Sequence, residues 1–178
     1  MIFKRQLAHG IRRIALLRWG IRLAVRLFVP QHYVGAVGVV FNEIGQVLIV
    51  EHVFRAHYPW GLPGGWVERW EDPAEAVRRE FKEELNIDIE VKRLLLCRPQ
   101  GNAFKDNAPP GLSLAYYCRL VDEAAALKNL AEADNAYEIL MIRWLRPENI
   151  PYKITPFQQE AIRLAQQIFD SERLGQVA

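Results

Sequence analysis

The feature that most constrains this chain is a glycine-rich loop that leads directly into an amphipathic helix, both between Trp60 and Ile87. A backbone without Cβ atoms can approach a ligand or a metal ion closely. The residues that form this tight loop are Gly61, Pro63, Gly64 and Gly65. The segment therefore predicts a turn that brings backbone groups close to the start of a helix.

The predicted helix has a clear start, one apolar face and one acidic face. Asp72 is expected to be the N-cap and Pro73 the first helical residue. The apolar residues at helical spacing are Ala74, Val77, Phe81 and Leu85. The acidic residues at positions i, i+3 and i+4 are Glu80, Glu83 and Glu84. Because like charges at this spacing repel, we expect a cation to compensate them.

The three carboxylates have two interpretations. In the first, they form a solvated acidic face that Arg78, Arg79 and Lys82 balance. In the second, they are hard oxygen ligands that converge on Mg²⁺ or Mn²⁺, which in turn binds a phosphate. The spacing of the surrounding residues favours the second interpretation.

That spacing runs from Gly65 over five residues to Glu71, then over seven residues to a hexapeptide that begins at Arg79 and reads REFKEE. It resembles the Nudix box, G-x5-E-x7-R-E-U-x-E-E-x-G-U, in which U is a bulky apolar residue. Eight of the nine specified positions between Gly65 and Ile87 match. The exception is Asn86, which stands where the family has Gly. This position follows the helix and is expected to need a left-handed backbone, which Asn tolerates best among the other residues.

The resemblance implies a fold and a set of roles. The implied fold class is α/β, a Nudix-like α/β/α sandwich around a mixed β-sheet, over residues 31–178 with a C-terminal helix. By similarity the principal metal ligands are Glu80 and Glu84, Glu83 is a ligand or orients the attacking water, and the Gly64 carbonyl is a further candidate ligand. Glu71 and Arg79 resemble the internal ion pair that ties the loop to the helix.

The implied activity is Mg²⁺-dependent (or Mn²⁺-dependent) hydrolysis of the pyrophosphate linkage in a nucleoside diphosphate derivative. ADP-ribose, a sugar nucleotide and a nucleoside triphosphate all stay open as substrates. The metal would neutralise pyrophosphate charge and lower the pKa of a bound water. The general base is either Glu83 or a residue outside the motif, for which Glu138 and Glu132 are candidates and ordinary loop acids are the alternative.

Candidate substrate-binding residues precede the motif. Aromatic rings there would stack a base, and an arginine would meet a phosphate, although packing explains any one of them equally well. These residues are Phe54, Arg55, Tyr58 and Trp60. Arg55 also resembles the arginine that precedes the motif in the ADP-ribose group of the family.

The first 30 residues predict a basic amphipathic helical extension. Seven Lys or Arg and no acidic residue lie between Met1 and Asn42, so with a net charge of +2 the rest of the chain carries −5. Arg18, Arg22 and Arg26 stack at i, i+4 and i+8, opposite an apolar side. Such a helix packs on the domain or a second subunit, lies on a membrane surface, or contacts nucleic acid. Its arginines interrupt every candidate signal or membrane-spanning segment.

The remaining sequence predicts a strand-rich domain. Strands are expected over 33–41, 47–51, 87–96, 112–120 and 139–145, with a turn at 42–45, a loop at 102–111 and a short helix within 121–135. A second long helix begins at Thr155 and Pro156, with an apolar stripe formed by Phe157, Ala161, Leu164 and Ile168. Cys97 and Cys118 are expected to be reduced, half-buried strand residues of a cytoplasmic protein.

The expected partner is a nucleotide-type small molecule, and no stable nucleic acid partner is expected. A homodimer and a weak membrane contact through residues 1–30 stay open. The rival functions are a nucleotide-sensing module without catalysis and a membrane- or partner-docking protein. Kinases and motor ATPases are disfavoured because no Gly-Lys-Ser/Thr phosphate loop is present. Acyl transfer is disfavoured because Ser113 and Ser171 lack a nucleophile-elbow context.

Overall fold

A computed structural model describes residues 15–28, 32–55, 57–100, 111–132 and 138–176. Its contacts divide the chain into two units, Met1–His32 and Tyr33–Ala178. The first unit contains helix α1, Ala15–Phe28. No helix within the described ranges is both long enough and apolar enough to cross a membrane.

The second unit alternates strands and helices. Its strands are β1 (Tyr33–Val40), β2 (Val47–His52), β3 (Trp60–Gly61), β4 (Gly64–Trp66), β5 (Ile89–Gln100), β6 (Gly111–Leu120) and β7 (Ile139–Leu145). Its helices are α2 (Pro73–Leu85), α3 (Glu123–Glu132) and α4 (Pro156–Gln176), with a 3₁₀ turn at Pro147–Asn149. The predicted loop at 102–111 lies outside the described residues except for Gly111.

The strands form two sheets, of which the larger is mixed. The larger sheet has the order β4-β1-β6-β5, and the smaller has the order β3-β2-β7. β1 and β6 pair in parallel, whereas β4 and β5 join as antiparallel neighbours. The smaller sheet is antiparallel throughout. The predicted mixed α/β class is therefore confirmed.

The turn between β1 and β2 connects two strands that belong to different sheets. Gly45 N donates to Asn42 O at 2.9 Å, and Asn42 N donates to Gln46 O at 3.0 Å, so the predicted turn is present. Beyond it the strands share only an isolated bridge between Phe41 and Val47. Each strand instead finds a longer partner, β6 for β1 and β7 for β2. β2 thus runs antiparallel to β1 at this bridge but does not form a hairpin with it.

Helices cover both faces of the sheets, as the predicted sandwich requires. Successive strand side chains point to opposite faces. Val39, Ile49 and Tyr117 pack in one buried cluster with α4. Their neighbours Val40, Leu48, Val50 and Cys118 pack in a second cluster with Val77, Phe81 and Leu85 of α2. Strands buried on both faces explain why β1 and β2 read as nearly continuous apolar runs.

Both long helices bury slightly different faces from those predicted. On α2 the residue that is buried near the start is Ala76, whereas Ala74 is partly exposed. On α4 the fully buried positions are Gln158, Ala161, Ile162 and Ala165, and the predicted Phe157, Leu164 and Ile168 are only partly buried. On α2 the other predicted residues, Val77, Phe81 and Leu85, are buried as expected, whereas on α4 the buried face is rotated by about one residue.

The two cysteines differ in burial. Both are free thiols on strands, but Cys97 is exposed and Cys118 is buried. The prediction that both are half-buried is therefore wrong. Adjacent strand positions alternate between the two faces, and Cys97 lies on β5, the edge strand of its sheet.

The end of α2 explains the asparagine in the motif. Asn86 adopts φ 52° and ψ 35°, the left-handed conformation, and its N–H bonds to Lys82 O at 3.1 Å. Ile87 N donates to Phe81 O at 3.3 Å, which completes the cap. Asn meets the same backbone requirement as Gly at this position.

We expect Asn86→Ala to lower the free energy of unfolding by about 1 kcal/mol, because Ala enters the left-handed region at that cost. Asn86→Gly should match the parent to within a few tenths of a kcal/mol. Urea denaturation of the three proteins compares them directly. Equal midpoints for the Ala and Gly variants would contradict this account of the cap.

A second expected result concerns Gly38, which lies on β1 under α2. An added Cβ would lie 2.6 Å from the Phe81 ring and 3.0 Å from Val77. Gly38→Ala should therefore cost about 1–3 kcal/mol of stability through overpacking. The matched control is Gly175→Ala, where an added Cβ meets nothing within 4 Å. That helical substitution should be neutral or stabilise by up to about 1 kcal/mol in the same denaturation experiment.

Candidate active site

The glycine loop crosses from one sheet to the other. β3 belongs to the smaller sheet and β4 to the larger, so Leu62 and Pro63 join the two sheets. Gly38 N donates to Pro63 O at 3.0 Å and fixes the loop on β1. Gly64 has φ +136°, and an added Cβ there would lie 2.3 Å from Ala36 O. Only glycine permits this close passage.

The next glycine makes room for a carboxylate. An added Cβ on Gly65 would lie 2.4 Å from Oε1 of Glu80. The loop therefore lies directly against Glu80, the first of the three clustered carboxylates of α2. The glycine and acidic parts of the sequence motif form one site because they touch.

Glu84 is the most unusual acid of this site. Its Oε2 is buried and has no hydrogen-bond partner among the described residues. Burial, followed by repulsion from Glu80, raises the pKa of Glu84 to about 7, and Glu138 adds to the effect. The charge of Arg55 and a backbone hydrogen bond from Gly64 oppose the shift. An acid in this environment favours a proton or a bound cation.

Glu80 is partly buried beside it. Burial raises the pKa of Glu80, and so do the charges of Glu83 and Glu138, whereas Arg79 lowers it. Nη1 of Arg79 donates to Glu80 Oε1 at 2.9 Å and to Glu83 Oε2 at 3.2 Å. The cation that was expected to compensate the acidic face is therefore, in this structure, the Arg79 guanidinium.

The same guanidinium ties the helix to the loop. Arg79 Nε and Nη2 donate to Oε1 and Oε2 of Glu71 at 2.9 and 3.1 Å, and Nη2 also donates to Trp66 O at 3.1 Å. Glu71 Oε2 accepts a further bond from Glu68 N at 2.8 Å. The hydrogen bonds from Arg79 hold the pKa of Glu71 below its usual value. Glu71 and Arg79 thus join the loop to the helix.

Arg55 reaches the site from the segment after β2. Its Nη2 lies 3.5 Å from Gly64 O, the carbonyl proposed as a ligand. Burial lowers the pKa of Arg55, and the charge of Glu84 opposes that shift. The structure therefore places a partly buried cation beside the glycine loop and Glu84.

The two acids proposed outside the motif have different outcomes. Glu138 directly precedes β7, and its carbonyl accepts from Val53 N at 2.9 Å. Its side chain is exposed and close enough to raise the pKa values of both Glu80 and Glu84. The side chain of Glu132 lies outside the described residues. Of these two acids, Glu138 is the one that the described residues show beside the acidic cluster.

The aromatic candidates differ in their exposure and in what they contact. Phe54 is 76% exposed, and Tyr58 lies under Lys153, whose Nζ is 4.9 Å from its ring centre. Trp60 is nearly buried and stacks on Tyr152 at 3.7 Å between ring centroids. The structure therefore gives Trp60 a packing role in the core, and leaves Phe54 as the exposed ring.

Sequence reasoning missed two buried polar residues next to this site. His52 Nε2 lies 3.3 Å from Leu62 O, and burial together with Arg55 lowers the pKa of His52 to about 3. Gln158 is 6% exposed, and its Oε1 is buried without a partner in the described chain. An added Cβ on Gly61 would touch both Gln158 and Arg55. The available signal was the spacing of Gln158 with Ala161, Ile162 and Ala165 on one helix face.

The residues present fit a hard divalent cation. Within the described ranges no three His, Cys, Asp or Glu side chains are already arranged to hold a metal ion. The unpaired Glu84 oxygen, the adjacent Glu80 carboxylate and a backbone carbonyl on a Cβ-free loop are nevertheless the oxygen donors that Mg²⁺ prefers. Glu83 would join them by leaving Arg79.

Known proteins resemble both the sequence and the fold. A family model described as "NUDIX domain" matches residues 31–165. The chain is 35% identical over 114 residues to the 8-oxo-dGDP phosphatase NUDT18 of Danio rerio. This match covers 64% of this chain and 31% of that protein. It is 27% identical over 135 residues to a MutT-like protein of Streptomyces ambofaciens, with 76% of each chain covered. The chain thus spans about a third of the Danio rerio relative.

A solved structure extends the likeness to the fold. The crystal structure of a UDP-X diphosphatase superposes with a TM-score of 0.60 at 18% identity. The likeness covers 97% of this chain and 85% of that one. The matched family model spans most of the chain and includes the loop, the acidic helix and the strands that carry them. The chain therefore belongs to the Nudix family.

Proposed function

We propose that this protein hydrolyses the pyrophosphate linkage of a nucleoside diphosphate derivative, using Mg²⁺ or Mn²⁺. The observation that carries the proposal is the buried, unpaired Oε2 of Glu84 beside Glu80 and the glycine loop. A buried carboxyl oxygen without a partner is costly to keep. A bound divalent cation would supply the missing partner.

The residues divide the work by position. Glu80 and Glu84, with the Gly64 carbonyl, would hold the cation, and Arg79 would keep the helix and loop in register. A bound cation neutralises pyrophosphate charge and lowers the pKa of a water. Glu83 and Glu138 are our candidates to accept the proton of the attacking water, because both are exposed and their charges act on the partly buried Glu80.

The substrate class follows from what surrounds the acids. Arg55 is a partly buried cation next to the loop and suits a phosphate oxygen. The exposed ring of Phe54 suits stacking on a nucleobase. ADP-ribose, sugar nucleotides and nucleoside triphosphates, including oxidised ones, all contain both a phosphate group and a nucleobase. The Danio rerio relative is named as an 8-oxo-dGDP phosphatase, which supports including oxidised nucleotides among the candidates.

The direct test is release of phosphate-containing products from a panel of these nucleotides, with Mg²⁺, with Mn²⁺ and with chelator. Glu83→Gln and Glu138→Gln identify the base, because the variant that lacks it should lose the acidic limb of the pH–rate profile. Nucleotide that binds without turnover under every metal condition would overturn the proposal in favour of a sensing module.

The first expected outcome concerns Glu84→Gln. Removal of this carboxylate should lower kcat/KM more than about 100-fold, since even groups that only support a metal ligand cost up to that much. The matched control is Glu75→Gln on the same helix, because Glu75 is exposed and pairs with Arg78. The control should keep at least about half of the parent activity. Equal losses in the two variants would remove Glu84 from the metal site.

The second expected outcome is a pH dependence of stability in metal-free protein. The pKa of Glu84 is raised from 4.5 to about 7. Between these two pH values the folded state therefore holds a proton on Glu84 that the unfolded state has released. This contribution to stability is complete below about pH 4.5 and disappears as pH rises through about 7.

Glu84→Gln should therefore gain stability over the parent as pH rises from about 5 to about 8, by up to about 2 kcal/mol after solvent screening. Chemical denaturation in chelator at each pH measures the difference. Saturating Mg²⁺ should abolish that gain, because the cation replaces the proton in the parent. A pH-independent difference would contradict the assigned burial of Glu84.

A further inference from the structure

Helix α1 has a composition that does not suit water. Its 14 residues, Ala15–Phe28, include three arginines and no acidic residue, and the other eleven are apolar or glycine. The seven basic residues between Met1 and Asn42 likewise have no acidic neighbour in that stretch. The helix therefore combines a large apolar surface with a positive charge that no acidic residue of the same stretch compensates.

The apolar surface extends around most of the helix. Arg18, Arg22 and Arg26 share one narrow stripe by their spacing. Ile21 and Leu23 are separated by about 160° around the axis at about 100° per residue. Ile21 is 49% exposed and Leu23 is 39% exposed. Ala24, which lies between them around the axis on the side away from the arginines, is also exposed. A surface helix of a globular protein buries such a stripe against a core.

A helix of this length also needs outside support. Isolated helices shorter than about 12–15 residues are marginal in water even when their residues favour helix. Trp19, which is 62% exposed, lies next to the arginine stripe on the helix. Tryptophan is typical of the boundary between apolar and wet surroundings. The pattern is that of a helix at an interface.

We propose that α1 lies flat on an anionic lipid membrane, with its apolar side among the acyl chains and its arginines at the lipid phosphates. Charge complementarity selects this occupant. A basic polar face that adjoins an apolar side with tryptophan and leucine is typical of helices in the headgroup region. The helix lies on the membrane and does not cross it, in agreement with its length and charge.

Two other occupants fit less well. Pairing with the same helix of a second copy would bring together two stretches of seven positive charges, without an acidic residue in either to compensate them. A nucleic acid would neutralise the arginines but leave Ile21, Leu23 and Ala24 in water. An anionic bilayer satisfies both the charge and the apolar side.

The test is co-sedimentation of the full chain with two kinds of vesicle, pure phosphatidylcholine and phosphatidylcholine with 30% phosphatidylglycerol (about a third anionic lipid). We expect binding to the anionic vesicles that weakens as salt rises. The triple variant Arg18→Gln, Arg22→Gln, Arg26→Gln should lower the partition coefficient about 100-fold, given the contribution of each basic residue near such a surface. Leu23→Asp should also reduce binding.

A matched control removes the same charge elsewhere. Arg93, Arg146 and Arg163 are exposed arginines of the second unit, and their triple change to Gln should leave vesicle binding within about two-fold of the parent. All variants should keep the thermal midpoint of the second unit. Equal affinity for both vesicles, equal loss in both triple variants, or doubled mass in solution with no vesicle binding would each overturn the proposal.

Discussion

The arrangement of the candidate site depends on one guanidinium group. Arg79 holds Glu71 with two hydrogen bonds, the Trp66 carbonyl with another, and Glu80 and Glu83 with its remaining nitrogen. Its planar fork of donors suits this task, which a lysine point charge would not reproduce. Without Arg79 the loop would lose the hydrogen bonds of Glu71 and the Trp66 carbonyl to the helix, and the charges of Glu80 and Glu83 would lose their shared partner. The ion pair is thus structural and electrostatic at once.

The glycine loop adds a second constraint, which is steric. The loop passes between the two sheets and against β1, where an added Cβ at Gly64 would overlap the backbone at Ala36. At Gly65 an added Cβ would occupy the space of the Glu80 carboxylate. The acidic helix can approach the loop only because these positions lack side chains. Fold and site are therefore set by the same few residues.

These constraints explain what the sequence could predict. Local patterns were sufficient for α2, for its cap at Asn86, for β7 and for the start of α4, because capping, spacing and alternation act over a few residues. The division of the strands into two sheets was not predicted, since it depends on which distant strand offers β1 and β2 the longer pairing. The burial of Gln158 and the packing of Trp60 on Tyr152 depend on contacts between segments about 90 residues apart.

The same distinction applies to Glu84. Its position in the motif indicated a ligand, but its burial became visible only once Gly64, Arg55 and Glu138 were placed around it. A protein selected for stability alone would replace a buried, unpaired carboxyl by an apolar side chain of similar size. Its presence beside two other acids departs from the rule that buried polar atoms are hydrogen-bonded, and such local departures are expected where a site has chemistry to perform. The unpaired oxygen of Glu84 is therefore an argument for a bound cation, because a cation would supply the partner that this oxygen lacks.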